Sequence, residues 1–219
     1  MELARPNKPV LIVYPFLLIA STAIVFYFGT RYLGQFAGYL IGFGFYWLFW
    51  CLLIPLLLLK KNFPTVFRNK KPLFTLKNWW ILLLLASTII APVFMYFIPG
   101  LPVTPLFVVL AGIAFGFVHA FFEELFWRGV YISFFPDDWV MGVVFPTVMF
   151  SLWHFAPQIA IPDPNMPVFV ASTLPLGIVY ALTARASGSA LWSAIAHGIS
   201  GALAFGGFLA TSLYALING

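Results

Sequence analysis

Residues 105–134 read PLFVVLAGIAFGFVHAFFEELFWRGVYISF. The run is longer than the ~20 apolar residues a helix needs to cross about 30 Å of hydrocarbon. It nevertheless carries His119, Glu123, Glu124 and Arg128. A charge at the centre of a bilayer costs ~2.5–3.5 kcal/mol on insertion scales, so ionisable groups at that depth are read first as functional. The chain has six acids in 219 residues, and two of them stand side by side among phenylalanines.

The rest of the chain is equally oily. It is 63% hydrophobic, 20% aromatic and 8% charged, against ~25% charged in a typical soluble domain. Apolar runs recur at 10–28, 36–59, 79–98, 105–134, 138–156, 167–186 and 189–217, the last being one long helix or two broken near Gly206 and Gly207. The fold expected is an all-α, multi-pass membrane bundle of seven to eight transmembrane helices, forming one integral-membrane domain over 1–219. Helix breakers separate the runs: Pro99, Gly100 and Pro102, then Pro136, Asp137 and Asp138, then Pro162, Asp163, Pro164 and Asn165. Arg5 and Lys8 precede a first run longer than a secretory core and without a small-residue cleavage site, so that run is read as a retained helix. Cys51, the single cysteine, is read as a packing residue, which leaves no internal disulfide and no cysteine-based metal cluster.

Six of the eleven basic residues, Lys60, Lys61, Arg68, Lys70, Lys71 and Lys77, fall in one loop. With that loop in the cytoplasm, counting spans places Arg5, Lys8 and Arg185 there too, Arg31 outside and Arg128 within a span. The N-terminus is then cytoplasmic. Trp79, Trp80 and Trp139 fall at the same ends, where indoles favour the interface. The net charge of +5 is therefore assigned to topology and anionic lipid, not to nucleic acid. Small residues recur at fourth positions: Gly34, Gly38 and Gly42; Gly112, Gly116 and Ala120; Ala190, Ala194, Gly198 and Ala202. Such stripes are expected to let helix backbones approach closely.

Glu124 and Arg128 are four apart with the acid first, the favourable order for a helical ion pair. They are expected to neutralise one another, with Glu123 on the neighbouring face; His119, four residues earlier, is read as the hydrogen-bond partner of Glu123 or else as a third imidazole of the site. At 1.5 Å per residue Glu123 lies ~16 Å, His154 ~24 Å and His197 ~12 Å from the cytoplasmic ends of their helices, so the three are expected in one cavity. A carboxylate and a histidine sharing a water make a nucleophile for an amide. Two histidines and a carboxylate, Glu123, His154 and His197, are equally an ordinary hydrolytic zinc set. Ser151 and Ser200 have no acid partner in sequence.

Glu123-Glu124-Leu125-Phe126-Trp127-Arg128-Gly129 resembles the E-E-x-x-x-R signature of the CAAX protease and bacteriocin-processing (CPBP) family of intramembrane peptidases. Phe150 and His154 match the spacing of that family's second motif, and His197 falls where the third places a histidine; the resemblance covers about 105–205, with spans 10–98 preceding it. It implies a helical membrane protein of about eight spans, opening toward the cytosol, whose relatives remove C-terminal tripeptides from prenylated proteins. It also implies that Glu123 activates water with His154, that Glu124 and Arg128 shape the site, and that His197 steadies the oxyanion. The third motif usually continues to Asn or Asp four residues on, where this chain has Gly201. An amide donor at an oxyanion is worth ~2.7–4 kcal/mol, and Ser200 lies ~100° away around a helix.

The function expected is an endopeptidase cleaving a membrane-anchored protein or peptide near the cytoplasmic side. Two alternatives stand beside it: a weak or inactive relative acting as a membrane binding partner or bacteriocin-immunity protein, and a proton-coupled transporter.

Overall fold

The computed structural model describes residues 8–206 and 214–215. Six helices are long and apolar enough to cross a membrane: α1 (Lys8–Leu33), α2 (Gln35–Thr65), α3 (Leu76–Gly100), α4 (Leu106–Phe134), α5 (Val140–Ile159) and α6 (Met166–Ser187). A shorter apolar helix, α7 (Leu191–Ala204), follows. Among the described residues there is no strand. These helices occupy the seven apolar runs of the sequence. Arg5 and most of the stretch after Gly206, where an eighth span was placed, lie outside the described residues.

Solvation by lipid turns the usual burial pattern around. Phe16, Leu57, Leu83, Phe94, Phe107 and Val168 are exposed on the outside of the bundle, whereas Glu123 and Glu124 are completely enclosed and Arg128 nearly so. Each charged group is thereby kept from hydrocarbon by other helices. Cys51 is buried and unpaired with any other cysteine.

The small residues have different jobs at different positions. Gly34 is not a packing residue as its place in the stripe suggested. It takes φ +88 in the tight link between α1 and α2, where a side chain would meet nothing within 4 Å. Gly38 does pack: a Cβ there would lie 2.3 Å from the Thr30 nitrogen of α1. On α4, Gly116 touches α7 at Gly201, a residue the sequence stripe on α7 did not include.

One end of the bundle gathers the polar connections. Backbone nitrogens of Lys70 and Lys71 donate to the Ser187 carbonyl, and Ala190 N–H donates to the Val66 carbonyl. The Ser189 hydroxyl donates to Asn69. These bonds lay the 60–75 connection across the junction of α6 and α7, a junction that Gly188 permits by ending α6 in the left-handed region. Lys8 pairs with Asp138 at 3.3 Å at this end. Arg185 lies over the Trp139 ring and donates to the Asp137 carbonyl. All the basic positions from Lys8 onward that were assigned to the cytoplasmic side belong to these end connections, while Arg31 sits in the last turn of α1, at the far end. α2 and α4 also depart from α-helical winding, over Tyr46–Leu53 and Leu125–Val130, where the turn widens to i→i+5 bonding. Such widened turns occur frequently at functional sites.

Candidate active site in the helix bundle

α4 supplies two carboxylates on adjacent faces, immediately before its widened turn. Glu124 Oε1 lies 3.0 Å from Arg128 Nη1, one helical turn away. Arg128 is further fixed by donating to the Gly177 carbonyl of α6 at 3.2 Å and by lying 4.3 Å above the Phe150 ring of α5. Glu123 faces the other way. Its Oε1 accepts from the Tyr46 hydroxyl at 2.8 Å, and its Oε2 lies 3.1 Å from His119 Nε2.

α7 closes the site with His197. Its Nδ1 lies 3.0 Å from Glu124 Oε1, which already faces a guanidinium and is therefore the acceptor. Its Nε2 stands 3.6 Å from Glu123 Oε2, beyond hydrogen-bond distance. With the Nδ1 proton committed to Glu124, His197 can donate from Nε2 only as an imidazolium. Two carboxylates against one guanidinium leave one negative charge in excess, so a single proton shared within the cluster neutralises it. Tyr180 of α6 stacks on the His197 ring at 4.7 Å, fixing its plane.

His154 ends the regular part of α5. Its Nδ1 donates to the Phe150 carbonyl at 2.8 Å, which leaves the lone pair on Nε2. His154 lies within electrostatic reach of Glu123, His119 and His197. The Phe150 ring contacts His154 at 4.7 Å, His197 at 6.0 Å and Arg128, so it links His154 to the Glu124–Arg128 ion pair. All seven residues singled out from the sequence, His119, Glu123, Glu124, Arg128, Phe150, His154 and His197, thus belong to one cluster contributed by α4, α5 and α7.

The direction of each hydrogen bond follows from donors that cannot accept. Trp47 N–H donates to His119 Nδ1 at 3.0 Å, so His119 carries its proton on Nε2, toward Glu123. Trp127 N–H donates to the Tyr46 oxygen at 2.7 Å, so the Tyr46 proton goes to Glu123. Glu123 Oε2, fully enclosed, still lacks an aligned donor: the His119 approach is close but off the hydrogen-bond line. Sequence reading missed Tyr46, Trp47, Trp127 and Tyr180. Aromatic residues fill every span of this chain, and nothing in their spacing separates a polar-tipped one aimed at a carboxylate from a packing one.

Gly201 has a structural reason. A Cβ on it would lie 2.9 Å from the Gly116 carbonyl oxygen, and a Cβ on Gly116 would lie 2.4 Å from that of Gly201. The two glycines are the contact point of α4 and α7, so position 201 faces backbone. Ser200 does not take over as donor. Its hydroxyl is shared with Tyr180 at 2.8 Å and bonded to the His197 carbonyl.

As a zinc site the arrangement does not fit. Among the described residues no three His, Cys, Asp or Glu groups converge on one point as metal ligands do. Glu123, His154 and His197 are thus not placed as a set of ligands for one ion.

Residues 104–203, a little under half of the chain, match the family model of type II CAAX prenyl endopeptidases, Rce1-like. No curated protein and no solved structure matches the chain. The matched stretch begins just before α4 and ends within α7, so it contains every acid and imidazole of the cluster. Over that stretch the chain is similar to the type II CAAX prenyl endopeptidases, which supports its assignment to the CAAX protease and bacteriocin-processing family.

Proposed function

We propose that the protein is an intramembrane endopeptidase that cleaves a membrane-anchored protein or peptide near the cytoplasmic side, using water activated by Glu123. The observation that carries this reading is Glu123 Oε2, a fully enclosed carboxylate oxygen with no aligned donor, facing two imidazoles. A water between Oε2 and the His154 lone pair would have an acceptor for each proton. Its oxygen then attacks the scissile carbonyl carbon as one proton passes to Glu123 Oε2. The carbonyl oxygen becomes an oxyanion, met by His197 when its Nε2 carries a proton. Collapse breaks the C–N bond, and Glu123 returns its proton to the leaving amine. Glu124 and Arg128 hold His197 in place and do not react.

The test is cleavage by the purified protein in nanodiscs, with prenylated and unprenylated membrane peptides read by mass spectrometry. Glu123→Gln keeps size and hydrogen bonding but removes the base, so cleavage is expected to vanish while membrane insertion persists. Full cleavage by Glu123→Gln refutes the mechanism. A second reading, binding without cutting, is favoured by the absence of an amide donor at Gly201. It requires a biological activity that survives replacement of Glu123, His154 and His197 together.

A further inference from the structure

We propose that Tyr46 and Trp47, consecutive residues of α2, are positioning residues for Glu123, each governing one of its two carboxylate oxygens, and that together they select Oε2 as the oxygen that takes the proton of water. The inference rests on the peptidase reading above. It adds residues from α2, outside the matched stretch 104–203.

The two residues reach the same carboxylate by different routes. Tyr46 acts directly: its hydroxyl donates to Oε1 at 2.8 Å and is itself held by the Trp127 N–H. The ring is fully buried and stacked 4.0 Å from Trp153, the residue before His154. Trp47 acts through His119. By donating to Nδ1 it forces the His119 proton onto Nε2, which stands 3.1 Å from Oε2. With the opposite tautomer a lone pair would face Oε2 and push it away.

Consecutive helical residues normally project about 100° apart, so two neighbours cannot address one oxygen, but they can bracket one carboxylate. Tyr46 opens the widened turn Tyr46–Leu53, in which that projection is adjusted. The consequence for chemistry is selection between two oxygens. Oε1 has its Tyr46 donor on the hydrogen-bond line. Oε2, with the His119 N–H close but off that line, keeps a lone pair free and faces His197 Nε2 at 3.6 Å, on the side where the imidazoles gather.

The first arm of the test is kinetic. Tyr46→Phe removes the hydroxyl and keeps the stack on Trp153. Losing a hydrogen bond to a charged acceptor is expected to lower kcat roughly ten- to a hundred-fold at unchanged KM, beside the loss of thermal stability that the unpaired Trp127 N–H and Glu123 Oε1 bring. Wild-type kcat in Tyr46→Phe overturns the assignment. If Tyr46→Phe does not fold, Trp127→Phe replaces it, since it frees the Tyr46 hydroxyl to turn away; here a several-fold loss of kcat is expected, and none overturns the proposal. The second arm needs no activity. The chain has three histidines, so nitrogen-15 spectra of labelled imidazoles in nanodiscs report each one. His119 is expected as the Nε2–H tautomer, with its Nδ1 signal displaced in Trp47→Phe. Unchanged imidazole signals in Trp47→Phe overturn the role given to Trp47. Full cleavage by Glu123→Gln would instead remove the peptidase reading, and the spectra would still decide whether α2 sets the tautomer.

Discussion

Replacing Gly201 distinguishes a helix contact from a lost catalytic donor. An added Cβ at 201 would stand 2.9 Å from the Gly116 oxygen, and one at 116 would stand 2.4 Å from the Gly201 oxygen, where ordinary contact begins at 3.4 Å. Both obstacles are backbone, which cannot rotate aside. Overpacking of this kind costs about 1–3 kcal/mol, while replacing glycine by alanine inside a helix returns up to about 1 kcal/mol. Gly201→Ala, with the smaller overlap, is therefore expected to be near neutral. Gly116→Ala is expected to lose about 2 kcal/mol, and Gly201→Asn, with more atoms in the same place, at least as much. Activity should fall with stability, because α4 carries Glu124 and α7 carries His197 one turn from the contact. A helix separation of the size Gly116→Ala demands would take their 3.0 Å bond to about 4 Å, which is no longer a hydrogen bond. Thermal unfolding in detergent and peptide cleavage in nanodiscs measure the two effects. A Gly201→Asn protein as stable as the parent and faster at cleavage would refute the packing account and show that the position accepts an amide donor.

Three other outcomes are expected. Arg128→Leu should destabilise the protein by about 3–5 kcal/mol, because Glu124 is left buried without its guanidinium; unfolding in detergent checks this, and Arg128→Lys should recover only part, since it loses the stack on Phe150. The Asp138 carboxyl is held below its ordinary value, first by the Met141 N–H and then by Lys8. Its contribution is thus present above the ordinary aspartate range and disappears as pH falls through the depressed value, so unfolding curves of the parent and Asp138→Ala should converge on acidification. In a Cys51→Ala background, cysteine at Leu76, 94% exposed, should react with an impermeant maleimide from the cytoplasmic side and cysteine at Arg31 from the opposite side. Reversed labelling would invert the topology.

What could be read from sequence had strong physical constraints behind it. A bilayer demands long apolar runs, so the first six spans were legible to within about six residues, while the end of the last run lies outside the described residues. Helical spacing placed Glu124 beside Arg128 and His119 beside Glu123, and both pairs lie at 3.0–3.1 Å. The contacts that escaped were between elements distant in the chain. Tyr46 lies 77 positions from Glu123 and Trp47 lies 72 from His119, and a run of aromatics carries no mark of which one bonds a carboxylate. The stripe rule likewise found glycines but not their partners. It pointed to Gly198, which meets the Phe117 ring, whereas the backbone contact on α7 is Gly201. It also placed Gly34 among the packing residues, because a four-residue repeat does not stop at the end of a helix.

The hydroxyl that reaches Glu123 from α2 makes heredity at this site a matter of two distant stretches. A descendant of this protein could keep Glu123, Glu124, Arg128, His154 and His197 unchanged and still lose speed through one substitution 77 positions upstream. Conversely, grafting residues 104–203 onto other leading helices would transplant the acids and imidazoles without the group that orders them. Chimeras joined between α3 and α4 should therefore inherit their turnover from whichever parent supplies α2.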